Sequence, residues 1–368
     1  MPIKIASYNI ENMFRRPKAF FDPRTQKANN EILEAYSLLT QLLEQDSYRG
    51  SEEKIVELLG KLTPKRDDED KVEFAVLREI RGRLLDGPSK VVAKGRSDWI
   101  GWVELTKEAV DSTATENTAA IIADVDPDVL AVVEAEDRLA LERFNEYVLW
   151  KVTKGEKDPW RFGHAMLIDG NDERGIDVGV MTKDGFPIGR ALSHVDDERG
   201  GSTIFSRDCP EFEIPTLGGG TLLLMVNHFK SKIGGGGEKR RQQAQRVAEI
   251  YAERRREGWD SIVIAGDLND TPGSKPLLPL LANTDLKDAG DHEDFEWGDG
   301  AGTHWTGDRI DYLLLSPFLF EAFRAGGVNR RGIWEKANLG NDEKMLPTLT
   351  ELKQSASDHA AIWVELDV

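Results

Sequence analysis

Cysteine is almost absent from this sequence: Cys209 is the single one among 368 residues. That excludes an intrachain disulfide and a cysteine-rich metal site. Long apolar runs are missing too, so no segment reads as membrane-spanning. The opening residues, MPIKIASYNIENMF, alternate over 3–8 and then turn polar, unlike a signal peptide. A cytoplasmic location is therefore the expectation. Positive charge is in deficit, with 48 Lys and Arg against 66 Asp and Glu, a net −18. That balance argues against a tight nucleic-acid binder, whose affinity comes from neutralising phosphates. It leaves room for an enzyme that turns nucleic acid over with local basic patches and a cation. What is present, 39% hydrophobic and 31% charged residues, suits a globular enzyme of one large domain or two smaller ones.

The stretch 262–272, IVIAGDLNDTP, organises the rest. Four aliphatic residues run into Gly266, the pattern of a buried strand ending in a turn. Asp267 and Asn269 follow, two residues apart, and in extended backbone they face the same side. An Asx-rich turn would look the same. The other strand ends decide between the two readings. The strand predicted over 3–8 runs into Asn9, Glu11 and Asn12. The apolar run 129–133 ends in Glu134, with Glu136 and Asp137 close behind; a carboxylate there is costly unless paired or bound to a cation. The run 221–226 ends in Asn227, His228 and then Lys230 and Lys232. A lone histidine after a strand is ordinarily structural; its place, matching Glu134 and Asp267, marks this one. Asp311 breaks the apolar pattern of 309–315, and Ser357, Asp358 and His359 precede the last strand, 360–366. Further strands are predicted over 162–168, 177–182 (opened by Asp177), 187–194 and 203–208. Helices are predicted over 114–125, 138–149 and 238–256. The last carries Arg240 and Arg241, which with Lys230 and Lys232 make the one basic patch beside the strand ends. Two long loops are expected, 283–308 and 326–357.

Residues 17–110 differ in texture. Apolar residues at helical spacing predict helices over 29–46, 52–61 and 69–85, the last from Phe74, Leu77, Ile80 and Leu84. The stretch reads as a mostly helical insertion after the first strand of a single domain spanning 1–368. Its charge run 66–71 reads as a solvated face, and Trp99 and Trp102 as docking residues.

Six segments, in order along the chain, carry a resemblance: SYNIEN (7–12), PDVLAVVE (127–134), NHFKSK (227–232), GDLND (266–270), RIDYLLLS (309–316) and SDH (357–359). Together they resemble the DNase-I-like endonuclease/exonuclease/phosphatase superfamily. Val133 departs from it, since the family often has glutamine there. That departure should weaken hydrogen bonding around the metal site without removing it. The resemblance implies a four-layer α/β/β/α sandwich of two mixed sheets flanked by helices. It implies Glu134 as principal ligand of Mg²⁺ or Mn²⁺, helped by Asn9 and Asp358. A hard cation suits so few nitrogen donors. His359 would be oriented by Asp311; Asp267 would orient or deprotonate the attacking water; Asn269 would hold the phosphate. His228 would stabilise the opposite phosphate oxygen or protonate the leaving group, with Asp177 as its candidate partner. Whether His359 or Asp267 is the base stays open at this point.

Fold alone does not choose the substrate. Inositol polyphosphate phosphatases tend to have Trp-Cys-Asp-Arg where this chain has 308–311, and abasic-site enzymes Asn-Val-Ala-His where it has 269–272. The combination here looks most like bacterial nucleases and phosphodiesterases. The expectation is a metal-dependent endonuclease with little sequence preference, acting on DNA ahead of RNA and contacting its backbone through Lys230, Lys232, Arg240 and Arg241. The alternatives are a phosphomonoesterase, a lipid or small-molecule phosphodiesterase, or a silent binding module whose insertion recruits a partner. No membrane association is expected, and the sequence leaves the oligomeric state open.

Overall fold

A computed structural model describes residues 2–11, 13–17, 26–62, 74–155, 159–172, 174–232, 235–298, 300, 302–334 and 345–368. Asn12 and the charge run 66–71 lie outside them. The chain divides into two compact units, one of residues 1–14, 110–232 and 236–368, the other of 15–109 and 233–235.

The first unit holds two mixed sheets. The larger runs from edge to edge through Phe295–Glu296, Phe323–Asn329, Ala361–Asp367, Pro2–Asn9, Val129–Ala135, Asp177–Thr182 and His164–Ile168. The smaller runs through Lys287–Asp288, Asp311–Leu315, Ile262–Asp267, Thr221–His228, Glu211–Pro215 and Ala191–Leu192. Their central strands are buried on both faces, which is why they read as continuous apolar runs. Alternation divides each run between two layers. Ile3, Ile5, Val129 and Ala131 meet Leu222, Leu224, Val226, Val263, Ala265 and Leu313 in the core between the sheets. The intervening residues turn outward. Ala6, Tyr8, Leu130 and Val132 pack with Ala119, Ile121 and Ile122 of helix Ser112–Val125. Leu223, Met225, Ile262 and Ile264 pack with Ala244, Val247 and Ile250 of helix Gly237–Arg256. This is the expected sandwich of two sheets flanked by helices. No described helix is long and apolar enough to cross a membrane.

Of the strands that escape the sequence pattern, two add most to the main sheets. Phe323–Asn329, FRAGGVN, crosses into the stretch expected as a loop, and Glu211–Pro215 alternates charged with apolar residues. Each is held by antiparallel pairing to a strongly apolar neighbour, Ala361–Asp367 and Thr221–His228 respectively. Context overrides weak local preference in such strands.

The second unit has helices Gln26–Leu43 and Glu52–Leu62, and its own core of Leu39, Leu43, Ile55, Leu58, Leu62 and Trp99. Trp99 belongs to that core and donates from Nε1 to the Tyr48 hydroxyl at 2.9 Å, while Trp102 is exposed. Over its described residues, 74–85, the helix predicted over 69–85 is not formed. Ala75–Arg81 is instead a strand paired with Ile100–Leu105, with a register shift between Glu79 and Arg81. Ile80, one of the four residues that suggested a helical stripe, is 65% exposed. The apparent stripe was an accident of spacing.

Candidate active site

Strand register brings the polar strand ends together. In the smaller sheet His228 pairs with Asp267, and Asp267 with Asp311, on three neighbouring strands. In the larger sheet Asn9 pairs with Val133, one residue before Glu134. Parity then sets direction. Asn9 follows Ile3 and Ile5, His228 follows Leu224 and Val226, Asp267 follows Val263 and Ala265, and Asp311 precedes Leu313. Each therefore shares the face that lines the inter-sheet core. They sit where that core ends.

Asp267 is the centre of the group. Its Oδ2 accepts from Asn269 Nδ2 at 3.0 Å and Asn9 Nδ2 at 3.4 Å, and lies 3.6 Å from His228 Nε2 and 3.8 Å from His359 Nε2. Its Oδ1 accepts from the Asn269 backbone N–H at 2.7 Å. His359 Nδ1 lies 2.9 and 3.1 Å from the two Asp311 oxygens, in a buried pair. Ser357 fixes the last strand's approach: its hydroxyl donates to Asn9 O at 2.7 Å and accepts from His359 N at 3.0 Å. Thr303 Oγ1 does the same for Asp311, accepting from the Ile310 and Asp311 N–H groups.

Glu134 reaches the group by another route. By parity it would face outward with Val132, but the register shifts between Val133 and Ala135, and Glu134 takes a left-handed φ of 62°. Such a bulge re-aims a side chain. Glu134 Oε1 lies 3.6 Å from His228 Nε2. Glu136, next on that side, accepts from Met13 N and Phe14 N at 3.2 and 2.7 Å and holds the loop after the first strand. Asp137 caps helix Arg138–Arg143.

The two histidines are driven in opposite directions. Burial, then Arg207 and Arg174, hold His228 well below the usual imidazole value, so it is neutral. Burial opposes charge on His359 as well, but Asp311, Asp358 and Asp267 outweigh it and lift its pKa well above. Burial raises both Asp267 and Glu134, and the Asp358 charge raises Glu134 further. Unequal protonation tendencies of this kind mark the group as a candidate reacting centre.

A family model for the endonuclease/exonuclease/phosphatase family matches residues 110–359. The chain belongs to that family. Its members are hydrolases of phosphoester bonds and generally use divalent metals. A crystal structure of a family protein from Bacteroides thetaiotaomicron aligns at a TM-score of 0.50 and 14% identity, covering 100% of this chain and 99% of that one. A mannosyl-6-phosphatase of the same organism aligns at 0.49 and 18%, covering 70% and 92%. Truncated TDP2 of Caenorhabditis elegans aligns at 0.45 and 16%, covering 70% and 92%. No curated protein matches this sequence.

The residues suit a hard divalent cation. The Glu134 carboxylate, the Asn9 amide oxygen and the solvent-facing Asp358 carboxylate are oxygen donors, and a half-buried carboxylate pushed toward protonation gains from a cation.

The expected basic patch is not assembled. Arg240 is buried, with Nε 3.1 Å from Asp270 Oδ2 and Nη1 donating to Lys230 O. Arg241 is spent on Glu238, three residues away on its own helix. Lys232 Nζ lies 3.6 Å from Asp270 and 3.5 Å from Asp308. Asp177 is not placed against His228 either: its carboxylate accepts from Gly170 N at 2.8 Å, while His228 has Glu134 and Asp267 beside it. The bulge that turns Glu134 inward gives it the position expected of Asp177.

The cations that do act on the site were missed. Arg174 holds both oxygens of Asp172, at 2.9 and 2.7 Å. Arg207, wholly buried, places Nε 2.8 Å from Asp172 Oδ2, and its Nη1 donates to Phe229 O, the carbonyl that also takes Asn269 Nδ2. Lys230 is lowered to about 8 by burial and then by these two arginines. One turn-rich loop, DGNDERG, hides Asp172 and Arg174, and nothing in the sequence distinguishes it from a surface loop.

Proposed function

We propose that this chain is a metal-dependent phosphodiester hydrolase, with DNA as its first candidate substrate, cleaved by in-line attack of an activated water. The carrying observation is Asp267 Oδ2, ringed by Asn9, Asn269, His228 and His359 from different strand ends. Stability needs no such convergence of polar groups in a core, whereas a phosphoryl transition state does.

Glu134, with Asn9 and Asp358, would hold Mg²⁺ or Mn²⁺. The cation supplies charge neutralisation at the phosphate oxygens. Asp267 positions the water and receives its proton. Burial raises its pKa, so it accepts that proton only in the ionised form that a neighbouring cation would favour, while His359 is driven toward its protonated form and is the poorer acceptor. His359, held by Asp311, faces the phosphate as a charged donor. His228, driven toward its neutral form, donates a hydrogen bond to the opposite oxygen, and the leaving oxygen takes its proton from solvent as the P–O bond breaks. Both hydrogens of Asn269 Nδ2 are engaged, by Phe229 O and Asp267, so it braces Asp267 and reaches a phosphate only by giving up one of them.

A second reading, a phosphomonoester or small doubly charged phosphate, is favoured by the cations. Arg240, Arg241 and Lys232 are occupied internally, while Arg174, Arg207 and Lys230 surround a single Asp172 carboxylate. The test compares plasmid DNA, bis-p-nitrophenyl phosphate and p-nitrophenyl phosphate, each with Mg²⁺, Mn²⁺ or EDTA, for wild type and His359→Ala. Metal-dependent nicking lost in His359→Ala supports the first reading. Cleavage of the monoester alone, weakened by Arg174→Gln, moves the protein to the second. Activity equal in EDTA refutes both.

A further inference from the structure

His304 is absent from the proposed mechanism, yet it is built into the edge of the site. It pairs with His359 across an antiparallel bridge. Trp305 N donates to Asp358 O at 2.8 Å and Ala360 N to Thr303 O at 2.7 Å, so the two histidine backbones are locked side by side. Their rings meet at 4.8 Å between centroids. Both Nε2 atoms point at one carboxylate: His304 Nε2 is 3.4 Å from Asp358 Oδ2, and His359 Nε2 is 3.7 Å from Asp358 Oδ1. Donor atoms of the three residues all lie within 4.8 Å of one another.

Each imidazole is also held from behind. His359 Nδ1 is on Asp311 at 2.9 Å; His304 Nδ1 is 2.8 Å from Thr306 Oγ1, with Thr306 N a longer 3.4 Å away. That is the arrangement of metal-binding histidines, one ring nitrogen fixed by an oxygen partner and the other free to ligate. Tetrahedral ligands about 2.1 Å from a zinc ion stand roughly 3.4 Å apart, close to the two separations seen here. Two nitrogens and one carboxylate form a borderline donor set, unlike the oxygen set around Glu134.

We propose that His304, Asp358 and His359 bind a transition-metal dication of the zinc class, and that its occupancy inhibits the enzyme. Binding takes His359 Nε2 and Asp358 away from the reaction and the hard cation. Asp358 is partly exposed, so the ion enters from solvent. Only the inhibition rests on the phosphoester hydrolase reading; the binding does not.

Zn²⁺ is titrated calorimetrically into tag-free protein in excess Mg²⁺, and Co²⁺ serves as an optical probe of ligand geometry. Wild type should show one Zn²⁺ site and the visible absorption of four-coordinate Co²⁺. His304→Ala should weaken that site by about 100-fold, and Thr306→Val, which removes only the hydroxyl behind His304, by about tenfold. Mg²⁺-supported hydrolysis by His304→Ala should persist, with its Zn²⁺ inhibition curve displaced by the same factor as binding. No Zn²⁺ site in excess Mg²⁺, or equal affinity in wild type and His304→Ala, overturns the proposal. If no ester is hydrolysed, the hydrolase reading falls while the titrations still decide this one.

Discussion

Asp311→Asn isolates one interaction. The substitution keeps the shape of the side chain and removes its charge from the two oxygens that His359 Nδ1 approaches at 2.9 and 3.1 Å. Asp311 is the largest of the groups that raise the His359 pKa. Unit charges about 4 Å apart at an effective dielectric near 20 interact by about 4 kcal/mol. At 1.36 kcal/mol per decade that sets an upper bound of about 10³ on the loss of rate if a charged His359 faces the phosphate. In Asp311→Asn, kcat on bis-p-nitrophenyl phosphate should fall by about 10² to 10³ with KM little changed. The His359 ring protons, followed by NMR, should titrate at lower pH than in wild type. A kcat within about fivefold of wild type, alongside the lowered titration, would refute a charged His359 in the rate-determining step.

Glu134→Gln should abolish the thermal stabilisation given by Mg²⁺ or Mn²⁺ without disturbing the fold, since glutamine has the same size and the strand is buried around it; a metal-dependent Tm shift equal to that of wild type would remove Glu134 from the metal site. Arg240→Met breaks a buried pair and should lower unfolding stability by about 3–5 kcal/mol, measured in urea. Arg241→Ala, across an exposed pair, should leave both stability and the salt dependence of any DNA binding nearly unchanged; a drop of about one in the salt slope would restore it as a phosphate contact. Burial raises Asp177 to about 6, above an unfolded value near 3.9, so the fold favours its protonated form. That stability is full below about pH 4 and is lost as pH rises through about 6. Asp177→Asn keeps an acceptor for Gly170 N and should therefore raise stability near pH 7.5 by up to about 3 kcal/mol, with no gain near pH 4; equal Tm values at both pH values would contradict the shift.

Why some of this was legible in the sequence and some not follows from the range of each interaction. An apolar run that stops at one polar residue states a strand, its direction and its end, and that sufficed to pick Asn9, Glu134, His228, Asp267 and Asp311 as residues at strand ends. Parity within each run even gives the face for all of these but Glu134, which the bulge re-aims. The cations failed because sequence spacing does not count partners: Arg240 finds Asp270 thirty residues on, and nothing local announces it. Arg241 was readable, with Glu238 three residues before it on a predicted helix. Asp177 failed for a subtler reason, since a bulge in the neighbouring strand changes which carboxylate turns inward. Phe74, Leu77 and Ile80 had the right spacing for a helix, and only pairing with Ile100–Leu105 makes Ala75–Arg81 a strand.

The backbone gives independent evidence on what the site is for. Four described residues other than glycine have positive φ, and one, Asp126, is an ordinary helix cap. The other three are Glu11, Glu134 and Asn269, all at the polar ends of strands that meet at Asp267. Gly266, at φ 133°, adds a fourth constraint: a Cβ there would stand 1.9 Å from Asn227 O. Left-handed conformations cost non-glycine residues roughly 1–3 kcal/mol each and persist where the surroundings enforce them. Glycine at 134 would remove that cost, and a regular strand through Glu134 would remove the bulge. Packing favours both changes, because Val133 and Ala135 are already buried on either side. A chain shaped by stability alone would keep neither the strain nor a half-buried carboxylate facing a neutral histidine. Together they aim one carboxylate across the gap between two sheets, which is the placement that the proposed divalent cation would require.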